Sequence, residues 1–414
     1  MSESITLTQL KYLIKNYVIL IMTKNKIKMK ETKTKPYYVI LTGSKNNAGD
    51  YLIKYRAKQL FSDLRPDRDI IDIDGWKSFD EDTLELVNGA QALILMGGPA
   101  LQRDMYPKVY PLTDDLSEIK APIVLMGVGW KSLSGNWEDT QNYELSLQTK
   151  TLLTRISSDG MTNSVRDYHT LNVMQRNGVE RTLMTGCPAT YVKNMFDKSI
   201  VNKVKIEKVA FSLGVSFLES PEMERQMKAT ILRLRDRFPI PSQFEVVFHH
   251  STKTEFLNTH NAKRNHLNGH LEFISWLEDK KIDYVDISGS ADNLIEYYSS
   301  VDMHVGYRVH AHIFMNSISK PSILISEDGR GKALDKVFGG CNIDGFSRVK
   351  SSLYSKIKRK LKLSSGYLVD ENIDVEVLNM IEYELNNDMP RLRKTRNVIN
   401  DNYKVMNDFI VSLP

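Results

Sequence analysis

The chain has 414 residues, 41% hydrophobic and 26% charged, which is core material for two domains and the profile of neither a disordered nor a fibrous protein. Its formal charge of +5 is uneven: residues 1 to 36 hold eight Lys against Glu3 and Glu31, or +6, which leaves −1 on the rest. A nearly neutral body excludes a nucleic-acid-binding surface spread over the folded part, so no nucleic-acid partner is expected. Only Cys187 and Cys341 occur, too few and too far apart for a disulfide framework, so a reducing cytoplasm is the expected location.

The basic arm, residues 1 to 36, pairs the apolar run Tyr17-Val18-Ile19-Leu20-Ile21-Met22 with flanking lysines. It is too short to span a bilayer, which needs about 20 apolar residues. Three readings stay open: an amphipathic segment on the inner membrane face, a disordered leader, or an over-long gene start ahead of Met22 or Met29.

From Tyr38-Val39-Ile40-Leu41 onward the chain reads as strand and helix in alternation. A polar loop, Gly43 to Asp50, precedes a helix over about residues 51 to 61, and further strands are expected at Ile70–Ile73, Ala92–Met96 and Pro122–Met126. Continuous apolar runs of this length mark strands buried on both faces of a parallel sheet. Glycines follow two of them, Gly97-Gly98 and Gly127-Val128-Gly129, where they let a backbone approach a ligand or simply permit a tight turn. Neither the Gly-x-Gly-x-x-Gly nor the Gly-x-x-x-x-Gly-Lys spacing is present, which weighs against nicotinamide and nucleoside-triphosphate chemistry.

The alternation breaks over the polar stretch 194 to 208 and resumes with Val209–Leu213, a helix over 221 to 237, strands at Phe244–Phe248 and Tyr284–Ile287, and a helix over 290 to 300. The expected organisation is the arm (1–36), an N-terminal Rossmann-like domain (37–200), a second Rossmann-like domain (201–345), and a basic, helical C-terminal segment (346–414). That segment opens with a cationic stretch from Arg348 to Lys362. The fold class is α/β, two Rossmann-like domains facing across a cleft in the glycosyltransferase-B manner.

The stretch Gly306-Tyr307-Arg308-Val309-His310-Ala311-His312 follows the strand-like run Met303-His304-Val305 and puts a guanidinium and an imidazole at a strand-to-helix corner. Such corners hold anions, because strand carboxyl ends meet the unpaired N–H groups of a helix start. Arg308 suits a carboxylate or phosphate, and His310 is able to move a proton near neutral pH. His310 and His312 lack a nearby Cys or carboxylate ligand and would face different ways on a helix, so no metal is expected.

These blocks together resemble the polysaccharide pyruvyl transferase family over about residues 37 to 345. The resemblance rests on Asn47-Ala48-Gly49-Asp50, on Met96-Gly97-Gly98 with Asp104, and on Val128-Gly129. It continues with Ser164-Val165-Arg166-Asp167 and the Asp302-to-Ala311 block. Val309 stands where the family has Leu, and Gly186-Cys187-Pro188-Ala189 lacks the family's carboxylate. The ending Glu327-Asp328-Gly329-Arg330-Gly331-Lys332 carries an additional Arg.

The resemblance implies transfer of the enolpyruvyl group of phosphoenolpyruvate to a sugar or lipid-linked saccharide acceptor. The product is a pyruvate ketal and the leaving group is phosphate, with no cofactor. The donor is both carboxylate and phosphate, so two cations should converge on it, and Arg166 and Arg308 are the candidates. His310 is the candidate for proton transfer, Asp50 for orienting or activating the acceptor hydroxyl, and Lys332 for the departing phosphate. Asn47, Gly49, Gly97 and Gly98 would line the substrate site. A sugar-nucleotide-dependent glycosyltransferase and a membrane-tethered scaffold are the alternatives, and nothing in the pattern specifies an oligomeric state.

Overall fold

The computed structural model describes residues 35–42, 48–196, 205–239, 244–254, 264–348 and 367–414. The basic arm up to residue 34, Asn47 and the cationic stretch 349 to 366 lie outside the described residues.

The first unit is built on strands β1 (Tyr37–Thr42), β2 (Asp69–Asp74), β3 (Ala92–Met96) and β4 (Ile123–Met126), parallel in the order β2-β1-β3-β4. A bridge between Val128 and Val165 extends this layer to the parallel pair β5 (Asn163–Val165) and β6 (Thr182–Met184). Helices α1 (Ala48–Leu64), α2 (Glu81–Asn88), α3 (Leu147–Ser158) and α4 (Tyr168–Arg176) complete the unit. All residues of β3 and β4 are buried, as their unbroken apolar runs require.

Helix α1 begins at Ala48, so Gly49 and Asp50 lie in its first turn rather than in the loop the sequence suggested. The polar stretch disguises the helix start. Its apolar face, Leu52, Ile53, Ala57, Leu60 and Phe61, is buried at helical spacing and governs the outcome.

The second unit carries six parallel strands in the order β12-β11-β10-β7-β8-β9: β7 (Val209–Ser212), β8 (Phe244–Phe248), β9 (Asp283–Asp286), β10 (Met303–Gly306), β11 (Ser322–Ser326) and β12 (Cys341–Asp344). Between them run α5 (Pro221–Arg237), α6 (Arg264–Asp279), α7 (Ala291–Ser299), α8 (Val309–Ser317) and α9 (Gly329–Phe338). In each sheet the strand order reverses once, between β1 and β3 in the first and between β7 and β10 in the second. Ligands bind parallel sheets at such switch points, outside the strand carboxyl ends.

The C-terminal helices are α10 (Ile373–Asn386) and α11 (Pro390–Val411). α10 packs on α5, whereas α11 touches α8 and α9 of the second unit and α1 and β6 of the first. One apolar cluster runs from Leu52 and Ile53 of α1 through Ala311, Ile313 and Phe314 of α8 to Ile399, Met406 and Phe409 of α11, so the two units share buried surface. Tyr403 of α11 stacks on Phe196 at 3.9 Å between ring centroids, and Tyr38 donates to the Pro414 carbonyl at 2.7 Å. Among the described residues no helix is long and apolar enough to cross a membrane.

Gly306 ends β10 with φ +141, and a Cβ there would lie 2.4 Å from the Ser212 carbonyl oxygen and 2.6 Å from its nitrogen. Only glycine lets β10 close against β7 and still turn into α8. Gly306→Ala should lower stability by about 2–4 kcal/mol in urea unfolding; a loss below about 0.5 kcal/mol would show that the strand end relaxes without cost.

Candidate active site

Arg308 leaves β10 at the switch point of the second sheet and is the residue preceding α8. Its backbone N–H donates to Ser212 Oγ at 3.0 Å, its Nε donates to the Leu213 carbonyl at 2.8 Å, and its Nη1 lies 3.5 Å from His250 Nε2. The plane of the guanidinium is therefore held by the end of β7.

Beneath it runs a buried polar chain. Asn316 donates its amide to the His312 carbonyl at 2.9 Å, which also turns that NH₂ toward His312 Nε2 at 3.2 Å. Nε2 is then the acceptor, so Nδ1 donates to Ser322 Oγ at 2.8 Å. Ser322 donates its O–H to His304 Nδ1 at 2.7 Å, and His304 Nε2 donates to Ser212 Oγ at 2.7 Å. His312 is spoken for by this chain, on the far side of α8 from His310.

His310 is in the first turn of α8, and its ring lies against the first turn of α1 from the other unit. A Cβ on Gly49 would sit 1.9 Å from His310 Nδ1, so any side chain there would occupy the imidazole's place. Asp50 follows on α1 and reaches the glycine turn after β3, where a Cβ on Gly98 would come within 3.1 Å of its Oδ1. Gly97 sits in the same turn and donates its N–H to the Met126 carbonyl at 2.9 Å.

Arg166 leaves β5 with its N–H on the Val128 carbonyl at 3.0 Å, and its side chain lies on Gly129, whose added Cβ would be 2.0 Å from Nε. Asp167 Oδ2 is 3.5 Å from Arg166 Nε, while its Oδ1 caps α4 through Thr170. Both terminal nitrogens of Arg166, and Nε2 of His310, are buried without a hydrogen-bond partner among the described residues.

The second unit contributes a further cation the sequence reading left without a role. Asp328 caps α9 by accepting from the Arg330 N–H and grips the Arg330 guanidinium through Nε and Nη2 at 2.8 and 2.6 Å. Burial works to raise the Asp328 carboxyl, but Arg330 and its hydrogen bonds, with Arg166, hold it below the ordinary value. Glu327 accepts from the Val215 and Ser216 N–H groups at 2.8 and 3.0 Å and supports the floor beneath Arg308 and Arg330.

His310 is pushed down to about 3, first by burial and then by the charges of Arg166, Arg330 and Arg308. The imidazole is neutral at pH 7 and surrounded by three guanidinium groups. Cys187 lies within the influence of Arg166, and burial raises its thiol to about 11 despite that charge.

The structure thus brings Asp50, Gly49, Gly97, Gly98, Arg166, Arg308 and His310 to one cleft, and leaves Lys332 out of it. The Lys332 ammonium is 3.7 Å from Asp344 Oδ2 and lies over the Phe346 ring at 4.9 Å, and Arg330 is the cation of this helix whose charge acts on His310. The signal was present in Asp328-Gly329-Arg330 opening a helix after a buried strand. Asp-x-Arg there is a cap that also aims a guanidinium back over the strand ends.

Two parallel sheets with facing switch points, and Arg, Arg and His between them, define a cationic cleft in a fold of the glycosyltransferase-B type. The chain belongs to the polysaccharide pyruvyl transferase family, whose model matches residues 47–329. Similar solved structures include the UDP-GlcNAc 2-epimerase from Neisseria meningitidis bound to UDP-GlcNAc, at 9% identity and TM-score 0.48 over 90% of this chain and 98% of that one. The Methanocaldococcus jannaschii UDP-GlcNAc 2-epimerase is similar at 10% identity and TM-score 0.42 over 84% and 99%. TarM is similar at 11% identity and TM-score 0.41 over 80% and 56%. No curated protein is significantly similar in sequence.

His310 and His312 are both held near 3, and His304 and His249 are pushed down as well, all chiefly by burial. The unfolded chain protonates these rings near 6.5 while the native state refuses the protons. Their contribution is therefore complete above about pH 6.5 and lost as pH falls toward 3. The free energy of urea unfolding should drop between pH 7 and pH 5, by up to about 1.4 kcal/mol per pH unit for each such ring. Constant stability across that window would contradict the assignment.

Proposed function

We propose that the cleft binds phosphoenolpyruvate and transfers its enolpyruvyl group to a sugar of a surface-polysaccharide precursor, closing a pyruvate ketal and releasing phosphate. The observation that carries this reading is the pair of unpartnered terminal nitrogens on buried Arg166, together with unpartnered His310 Nε2 within the field of Arg166, Arg308 and Arg330. A planar guanidinium end without a partner costs desolvation unless an anion completes it. A small ligand bearing both carboxylate and phosphate gives two guanidinium groups separate targets.

In this reading Arg166 and Arg308 hold the donor's anionic groups, and Arg330, kept in place by Asp328, faces the phosphate. Burial and the surrounding guanidinium charges together hold His310 neutral; the donor's negative charge offsets the second of these, so donor binding raises the imidazole and favours a proton on it. His310 delivers that proton to the donor's methylene carbon, which becomes a methyl group and leaves a cationic centre at C2. An acceptor hydroxyl adds to C2 and gives up its proton toward Asp50. The C2–O bond to phosphate breaks, and a second hydroxyl of the same sugar closes the ketal while its proton leaves with the phosphate. The site of action in this reading is the cytoplasm, at the inner membrane face when the acceptor is lipid-linked.

Phosphoenolpyruvate should raise the melting temperature where nucleotide sugars do not; the reverse pattern would replace this reading with that of a glycosyltransferase. Arg308→Ala and His310→Ala should lower phosphate release at least a hundredfold in folded protein, and near-normal turnover in either would overturn the roles given. Arg166→Ala should weaken donor affinity by about 10- to 100-fold.

Proton loading gives a separate check. Titration calorimetry of phosphoenolpyruvate binding in buffers of different ionisation enthalpy should show proton uptake that increases as pH falls from 8 to 6. His310→Asn should abolish the uptake, and uptake that persisted in that variant would place the proton elsewhere.

A further inference from the structure

Beside the cleft lies a second concavity of about 290 Å³, between α1 of the first unit and the start of α7 in the second, lined by Tyr51, Lys54, Tyr55, Lys58, Ser290 and Asp292. The four α1 residues fall at i, i+3, i+4 and i+7 and so form one stripe along the helix, about 10 Å long at 1.5 Å per residue. The stripe adjoins the face that packs Leu52, Ile53 and Ala57 into the core, yet it carries two aromatic rings, one of them 41% exposed.

The stripe starts next to the reaction centre. Tyr51 follows Asp50 directly, and after burial its hydroxyl is raised by the Asp74 and Asp50 charges, so the two side chains share one electrostatic neighbourhood. Tyr51 is thus the lining residue of the concavity nearest Asp50 along α1.

The chemistry of the lining selects among ligands. Lys54 and Lys58 both pair with Asp72, at 3.0 and 2.7 Å, and Asp292 stands opposite them. Among the described residues two ammonium groups are thus balanced by two carboxylates, so this lining offers no surplus positive charge to a phosphate group. Flat rings beside fixed donors and acceptors suit a pyranose, whose CH face rests on an aromatic while its hydroxyls reach charged groups.

We infer that this concavity is an outer acceptor subsite, holding the sugar residue next to the one that receives the pyruvyl group, so that the chain prefers an acceptor of two or more sugars to a monosaccharide. The inference rests on the reading of Asp50 as the group that meets the acceptor hydroxyl.

The test compares p-nitrophenyl mono- and disaccharides that share the same reacting sugar, drawn from galactosides, glucosides and N-acetylmannosaminides, using the full chain at saturating phosphoenolpyruvate. The unmodified chain should favour the disaccharide in kcat/KM by about tenfold. Tyr55→Ala and, separately, Lys58→Met should bring that ratio toward one by raising the disaccharide KM, with the KM for phosphoenolpyruvate unchanged. A ratio retained in both variants, or a donor KM that moves with it, would overturn the subsite.

If the unmodified chain releases no phosphate with any acceptor, the donor reading fails on its own. Saturation-transfer NMR with the same disaccharides then decides the subsite: a signal lost in Tyr55→Ala supports it, and no signal or an unchanged one overturns it.

Discussion

The contact between Gly49 and His310 is the constraint from which the rest of this structure follows. An imidazole stands 1.9 Å from where a Cβ would be, so the first turn of α1 admits the His310 ring of α8 only because residue 49 has no side chain. That approach is possible because the apolar sides of α1, α8 and α11 merge into one buried cluster. Burial of this surface holds the units together, and the glycine decides how near the chemistry-bearing turns come. Gly129 plays the same part for Arg166, so both sides of the cleft reach it over positions where any side chain would fill the space.

Closeness of this kind sets the electrostatics. Excluding water from His310 penalises its charged form, and the three guanidinium groups around it add to the penalty. The resting site is thus cationic with a neutral ring, a state that a bound anion would offset. Arg308 is held in the same way from beneath, since Ser212 accepts its N–H at the end of a chain that starts at Asn316 and passes through two neutral histidines. Those histidines, hydrogen-bonded through both ring nitrogens, brace the strand end behind Arg308.

The strands of both units were legible because parallel strands buried on both faces announce themselves as short apolar runs, and β3, β4, β7 and β8 sit close to where those runs fall. β5 and β6, three residues each, carried too little apolar pattern to stand out, and their pairing depends on neighbours distant in sequence. Arg308 and His310 were visible from their corner alone. Lys332 and Arg330, two residues apart on α9, were indistinguishable as cations in the sequence. The cap made by Asp328 turns Arg330 toward the strand ends, whereas Lys332, further round the helix, meets Asp344 and Phe346.

What the sequence determined by itself was the set of local facts: two runs of strand and helix in alternation, glycines at strand ends, a neutral body, and an Arg and a His at one strand-to-helix corner. These are readable because they depend on neighbours within a few residues. What only the tertiary structure decided was which of these features meet. Asp50, Arg166 and His310 are separated by more than a hundred residues at each step, and nothing local tells that a glycine on one helix makes room for a ring on another. The concavity along α1 is of the same kind: Tyr51 and Tyr55 read as ordinary residues of an amphipathic helix until α7 of the other unit closes the second wall. Long-range packing, driven by burial of the shared apolar cluster, turned separate motifs into one cleft.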